Sequence, residues 1–136
     1  MLKLIIGLKG SGKTKQLIEL ANKAVEVSPG HVVCIEKSNK LIFDVNHKVR
    51  LVDADAYAIT TAEQLYGLVC GILATNYDVK DLFIDSALKI CKDDVAAWEN
   101  FVLALEKVCT KYEIQCTVTS SIDQASLPKS LEKFVF

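Results

Sequence analysis

The segment Gly7–Thr14 contains three glycines and a Lys-Thr pair. It separates a continuous apolar run from a segment whose apolar residues recur at helical spacing. Before them, Met1–Ile6 is a nearly continuous apolar run, which is typical of a strand buried on both faces. After them, apolar residues recur at helical spacing and predict one helix from Lys13 to about Val27, with the stripe Leu17, Ile18, Ala21, Ala24 and Val25. A strand that turns directly into a helix limits the chain to folds in which helices pack on a sheet.

The alternation of strand and helix continues along the chain. Further apolar segments predict strands at His31–Glu36, Val49–Asp53, Asp81–Asp85 and Gln115–Ser120. This alternation favours a parallel sheet with helices on both faces. We therefore expect an α/β protein: a three-layer αβα sandwich with a mainly parallel sheet of five or six strands. No linker or repeat divides the sequence, so residues 1–136 are expected to form one domain.

Helix boundaries are predicted from capping residues. Thr60 or Thr61 should begin a helix that ends near Asn76, because each is followed three residues later by Glu or Gln. Asp93 or Asp94 should begin a helix that ends near Tyr112. Two segments stay less certain: Lys37–Lys48 fits a short helix or one arm of a hairpin, and Lys133–Phe136 is a candidate terminal strand.

Composition narrows the function classes. Sixteen basic and 17 acidic residues give a net charge of −1, which excludes a nucleic-acid binder that works by bulk positive charge. Arg50 is the single arginine. The five cysteines form no CxxC pair and lie in apolar segments, which favours buried thiols in a reducing cytoplasm over a metal site. Leu4–Leu8 is too short for a signal peptide, and Leu65–Ala74 is about half of a membrane span, so we expect a cytoplasmic protein without a membrane segment.

The glycine loop has the chemistry of a phosphate site. It matches GxxxxGK[ST] at every fixed position, and glycine allows the backbone angles that bring successive N–H groups onto one anion. The next helix points its positive end at the same place. Lys13 can reach the β- and γ-phosphates, and Thr14 offers a hydroxyl to Mg²⁺. The residues predicted to bind nucleotide here are Gly7, Lys9, Gly10, Ser11, Gly12, Lys13 and Thr14.

With these residues the chain resembles the P-loop NTPase superfamily, in which Gly7–Thr14 would be the Walker A motif. Leu82–Asp85 resembles its Walker B strand, and the resemblance implies that Asp85 assists Mg²⁺ together with Thr14. In the RecA-like division a further strand separates these two strands and often ends in a polar residue that senses the γ-phosphate. Thr117–Ser121 is similar to that strand, with Ser120 as the sensor or else as a polar strand end.

A group that orients the attacking water is harder to assign. Many relatives carry Glu directly after the Walker B Asp, but this chain has Ser86 there. Glu36 resembles the RecA-like arrangement, in which a Glu ends the neighbouring strand; the alternative is a solvated Glu that begins a loop. Asp53 and Asp55 are weaker candidates, and Arg50 lies in a strand-like run that does not suit an arginine finger. The predicted catalytic residues are Lys13, Glu36 and Asp85.

The function expected from these residues is binding of ATP, or another nucleoside triphosphate, with Mg²⁺ and slow or partner-stimulated ATPase activity. One alternative is a nucleotide-dependent switch that acts without turnover. Another is a phosphotransferase with a small acceptor near Asp53–Tyr57. The expected partners are the nucleotide and a second copy or another protein. The layout also resembles small stand-alone bacterial P-loop proteins, a likeness of fold that carries no role.

Overall fold

The computed structural model describes residues 1–41 and 44–136. Its strands are β1 (Leu2–Gly7), β2 (His31–Glu36), β3 (Arg50–Asp53), β4 (Val79–Ile84) and β5 (Gln115–Ser121). Its α-helices are α1 (Lys13–Val27), α2 (Ala62–Thr75), α3 (Ala87–Ile90) and α4 (Val95–Lys111). Short 3-10 helices follow β3 and β5, at Asp55–Tyr57, Gln124–Ser126 and Lys129–Phe134.

The five strands form one sheet in the order β1-β5-β4-β2-β3, and every pair is parallel. The expected α/β class with a parallel sheet flanked by helices is confirmed. As the resemblance implied, β5 lies between the strand before the glycine loop and the strand before Asp85. Because all strands run the same way, their carboxyl ends meet at one edge of the sheet, where ligands bind in open α/β folds.

Successive residues of β2 pack against helices on opposite faces of the sheet. Val32 and Cys34 pack in the cluster that contains residues of α1. Val33 and Ile35 pack in the larger cluster that contains residues of α2 and α4. Since neighbouring residues of a strand point to opposite faces, an unbroken apolar run is what a strand covered on both sides requires.

The caps of α2 and α4 lie at predicted positions. The Thr61 hydroxyl accepts a hydrogen bond from the N–H of Gln64 at 3.1 Å and begins α2. The Asp94 carboxylate accepts one from the N–H of Ala97 at 3.1 Å and begins α4. Each cap satisfies one of the N–H groups that a helix leaves without an internal partner.

The predicted terminal strand at Lys133–Phe136 is wrong. The chain there forms the 3-10 helix Lys129–Phe134, which buries Leu131 completely. Val135 then forms an isolated bridge with Leu4 of β1, and the N–H of Phe136 donates to the Leu4 carbonyl at 2.9 Å. Because the 3-10 helix continues to Phe134, only Val135 and Phe136 are left to run beside β1.

Two segments differ from the sequence analysis in other ways. Helix α3 was not predicted, because four residues are too few for a periodic signal. The prediction for Lys37–Lys48 covers residues 42 and 43, which lie outside the described residues. On either side of them, Leu41 and Val45 are buried against the α1 face of the sheet. None of the described helices is both long and apolar enough to span a membrane.

Candidate functional site

A cleft of about 780 Å³ opens at the carboxyl edge of the sheet, beside the start of α1. The glycine loop forms one of its walls. Gly10 and Gly12 both line the cleft and both have φ of 86°, a left-handed conformation that glycine adopts without steric cost. The backbone angles that the sequence analysis expected of glycine in this loop are therefore present at Gly10 and Gly12.

The start of α1 is open to an anion. Gly12 precedes the helix with no side-chain cap, and the first turn contains no acidic residue. The first N–H groups of a helix lack internal acceptors and carry the positive end of its dipole. An anionic ligand is thus the natural partner for this end of α1.

The Lys13 ammonium is held across the loop. Its Nζ donates to the Leu8 carbonyl at 2.9 Å and to the Ser11 hydroxyl at 3.4 Å, and the side chain is buried. Lys9 lines the same cleft. Gly7 ends β1 and donates its N–H to the Ile122 carbonyl at 3.1 Å, which fixes where the loop begins.

Thr14 and Asp85 meet although 71 residues separate them in the sequence. The Thr14 hydroxyl lies 3.2 Å from each carboxylate oxygen of Asp85. A hydroxyl and a carboxylate side by side fit a hard cation such as Mg²⁺, which prefers oxygen ligands. Among residues 1–41 and 44–136 there is no cluster of three or more His, Cys, Asp or Glu that could hold a metal ion.

Thr119 was missed by the sequence analysis. Its hydroxyl donates to Asp85 Oδ1 at 2.7 Å and accepts the N–H of Ser86 at 2.9 Å. The signal that could have found it is the strand register: Ile84 pairs with Val118, so the next residues along, Asp85 and Thr119, are neighbours.

Ser120, the predicted phosphate sensor, points elsewhere. Its fully buried hydroxyl accepts the N–H of Leu88 at 3.3 Å and donates to the Thr119 carbonyl at 2.7 Å. Adjacent residues of a strand face opposite sides, so Thr119 and Ser121 line the cleft while Ser120 supports α3. The structure thus places the side chains on either side of Ser120 at the cleft, and the predicted contact of Ser120 with phosphate has no support from its position.

Glu36 ends β2, next to β4, and is only 3% exposed. Its Oε1 accepts the N–H of Leu41 at 3.1 Å. Burial, above all, raises the pKa of this carboxyl, and the negative charges of Asp85 and Asp53 add to that effect. The bond from Leu41 and the charge of Lys40 oppose it. Glu36 is therefore a buried carboxyl with increased affinity for a proton, and not a solvated Glu in a loop.

Asp53 and Asp55, the two other candidates from the sequence, already have partners. Asp53 accepts the N–H groups of Asp55 and Ala56 at 3.0 and 3.3 Å, which caps the short turn after β3. Asp55 forms an ion pair with Lys37 at 3.2 Å. Arg50 is exposed at the first residue of β3, the strand end away from the cleft, so it is not a finger within this chain.

The charge of the cleft favours an anionic ligand. Its described lining contains more basic than acidic side chains, and a cleft lined mainly by one sign of charge concentrates ligands of the opposite sign. The basic side chains are Lys9, Lys13, Lys15, Lys37, Lys40 and Lys89, and the acidic ones are Glu36, Asp55, Asp85 and Asp93.

Comparison with known proteins shows the fold. No family model matches the chain, and no curated protein matches it. Among solved structures it is similar to a KaiC-like protein of the hyperthermophilic archaeon Pyrococcus horikoshii, with a TM-score of 0.71 and 16% identity over 98% of this chain and 68% of the other. The architecture is that of a RecA-like P-loop fold. At 16% identity the similarity shows the fold alone.

A pH dependence follows from the pKa of Glu36. A carboxyl whose pKa is raised on folding contributes stability below its ordinary value of about 4.5, and this contribution is lost as the pH rises through the folded pKa. Glu36→Gln keeps an acceptor for Leu41 but cannot ionise. Urea unfolding of both proteins between pH 4 and 8 should show the variant gaining stability relative to the wild type as the pH rises. A difference that is constant, or that falls with pH, would contradict the burial argument.

Proposed function

We propose that the chain binds a nucleoside triphosphate, ATP in the first instance, together with Mg²⁺, and that it hydrolyses the nucleotide slowly or on stimulation by a partner. The observation that carries this proposal is the contact of Thr14 with Asp85, at 3.2 Å, directly beside the glycine loop and the start of α1. That contact brings together the two oxygen groups that a magnesium–phosphate site needs.

The binding roles follow from position. The N–H groups of the loop and of the first turn of α1 would hold the phosphates, and the Lys13 ammonium would exchange the Leu8 carbonyl for a phosphate oxygen. Thr14 and Asp85 would hold Mg²⁺, directly or through water. When bound, the metal offsets negative charge on the phosphates.

We assign the role of general base in hydrolysis to Glu36. A carboxylate with a raised pKa is a stronger base than an ordinary one, which suits the acceptance of a proton from water. In this structure one of its oxygens already accepts from Leu41. The chain also lacks a well-placed arginine to stabilise charge in the transition state, and lysine does not offer the same bidentate geometry. Both features support slow turnover in the absence of a partner.

A nucleotide-dependent switch is the second candidate, and a specific contact favours it. The Glu36–Leu41 hydrogen bond and the Lys37–Asp55 ion pair join the cleft to the segment that follows β2. A ligand that draws Glu36 away from Leu41 would release that segment. A phosphotransferase with an acceptor near Asp53–Tyr57 has less support, because Asp53 and Asp55 already have partners. A cytoplasmic location and a stimulating partner, either a second copy or another protein, complete the proposal.

Nucleotide binding is tested with Lys13→Ala. At an ATP concentration near a hundred times Kd, ligand binding stabilises the folded state by about 2.7 kcal/mol, which a thermal-unfolding scan with Mg²⁺ measures. The variant should lose most of this stabilisation, because it lacks the ammonium that faces the loop. Lys23→Ala, an exposed lysine on the same helix, is the control and should keep it. Equal stabilisation in wild type and Lys13→Ala would exclude this loop as the site.

Hydrolysis is tested with Glu36→Gln. The variant should bind ATP with unchanged affinity and lower phosphate release by about 10²- to 10⁴-fold, the usual contribution of a general base. Turnover that survives in the variant would remove Glu36 from the mechanism. No turnover in the wild type, together with nucleotide-dependent capture of a partner, would instead favour the switch.

A further inference from the structure

We propose that Thr119 is the positioning residue for Asp85 in the binding of the magnesium nucleotide, and that the same hydroxyl connects the site to α3. This inference rests on the proposed function. It concerns a residue that neither the sequence motifs nor the resemblance singled out.

The Thr119 hydroxyl makes the shortest of the hydrogen bonds to Asp85 among the described residues. It lies 2.7 Å from Oδ1, whereas the hydroxyls of Thr14 and Ser86 lie 3.2 and 3.3 Å from the carboxylate oxygens. Thr119 is 1% exposed and Asp85 6% exposed, so water competes little for this contact. A short O–H···O⁻ bond in a buried place is among the stronger hydrogen bonds that proteins make.

The direction of this bond is fixed by a third group. The N–H of Ser86 donates to Thr119 Oγ1 at 2.9 Å, so that oxygen is an acceptor toward Ser86. A hydroxyl carries a single hydrogen, and at Thr119 that hydrogen points to Asp85. Asp85 therefore meets a donor whose orientation is set by the backbone, which holds the carboxylate beside Thr14.

Ser86, whose N–H donates to Thr119, directly precedes α3. Ser86 has φ of 57°, a left-handed conformation that is unusual for a residue other than glycine, and α3 begins at the next residue. Its N–H is held by Thr119, and the N–H of Leu88 is held by the neighbouring Ser120. A change in the position of Asp85 would thus reach the start of α3 through the Thr119 hydroxyl, which bonds both Asp85 and the Ser86 N–H.

Thr119→Val removes the hydroxyl and keeps the shape of the side chain. Thr119→Ser restores the hydroxyl. Thr117→Val is the matched control, because Thr117 lies on the same face of the same strand, is also buried, and is not a hydrogen-bond partner of Asp85 among the described residues. Thr119→Ala, which crowds its neighbours less, replaces the valine variant if that variant does not fold.

The first readout is ATP affinity by calorimetry, with Mg²⁺ and with a chelator. We expect Thr119→Val to weaken binding about tenfold or more with Mg²⁺, in the range found for groups that orient metal ligands, and less than twofold without metal. Thr119→Ser and Thr117→Val should resemble the wild type. Equal losses with and without Mg²⁺, or no loss at all, would overturn the positioning role.

The second readout needs no ligand. Hydrogen exchange at the Ser86 amide of the nucleotide-free protein should be faster in Thr119→Val than in the wild type and unchanged in Thr117→Val. If the wild type binds no nucleotide, the proposed function fails and the positioning role fails with it, while faster exchange would still establish the link to α3. If the wild type binds and Thr119→Val behaves like it in both readouts, only the inference about Thr119 fails.

Discussion

The contact between the Thr14 hydroxyl and the Asp85 carboxylate depends on most of the fold. Thr14 lies in the first turn of α1 and Asp85 directly follows β4, and the two strands that lead to them are separated by β5. The residues meet only because the sheet is parallel and its carboxyl ends share one edge. A change in strand order, or a register shift by one residue, would turn Asp85 away from the loop.

The proposed hydrolytic activity depends on the groups around this contact. Thr119 and Ser86 donate to Asp85, which fixes the carboxylate beside Thr14. Glu36 faces the same cleft but is bonded to Leu41, and Arg50 lies at the far end of β3. Under the proposed function, the phosphate and metal ligands would be in place while the groups for rapid hydrolysis would be incomplete, which is why a stimulating partner belongs to the proposal.

Features that depend on neighbouring residues were predicted from the sequence, and features that depend on contacts between distant residues were not. The loop at Gly7–Thr14 and the strands were predictable, because glycine chemistry and apolar runs are local signals. The neighbouring positions of β5 and β4 came from the resemblance and not from spacing. The choice between Ser120 and Thr119 required the register with β4, and the N–H of the left-handed Ser86 bonds to a hydroxyl 33 residues away in the sequence. The prediction for the last segment was wrong because a 3-10 helix that begins at Lys129, before the predicted strand, continues to Phe134.

The most direct test of the central claim is a crystal structure of the chain with a non-hydrolysable ATP analogue and Mg²⁺. The account predicts the triphosphate on the loop Gly7–Thr14, with the Lys13 ammonium moved from the Leu8 carbonyl to a phosphate oxygen. It also predicts Mg²⁺ about 2.1 Å from the Thr14 hydroxyl, with Asp85 beside it. An analogue bound elsewhere, or a metal on the loop that contacts neither Thr14 nor Asp85 directly or through water, would contradict the account.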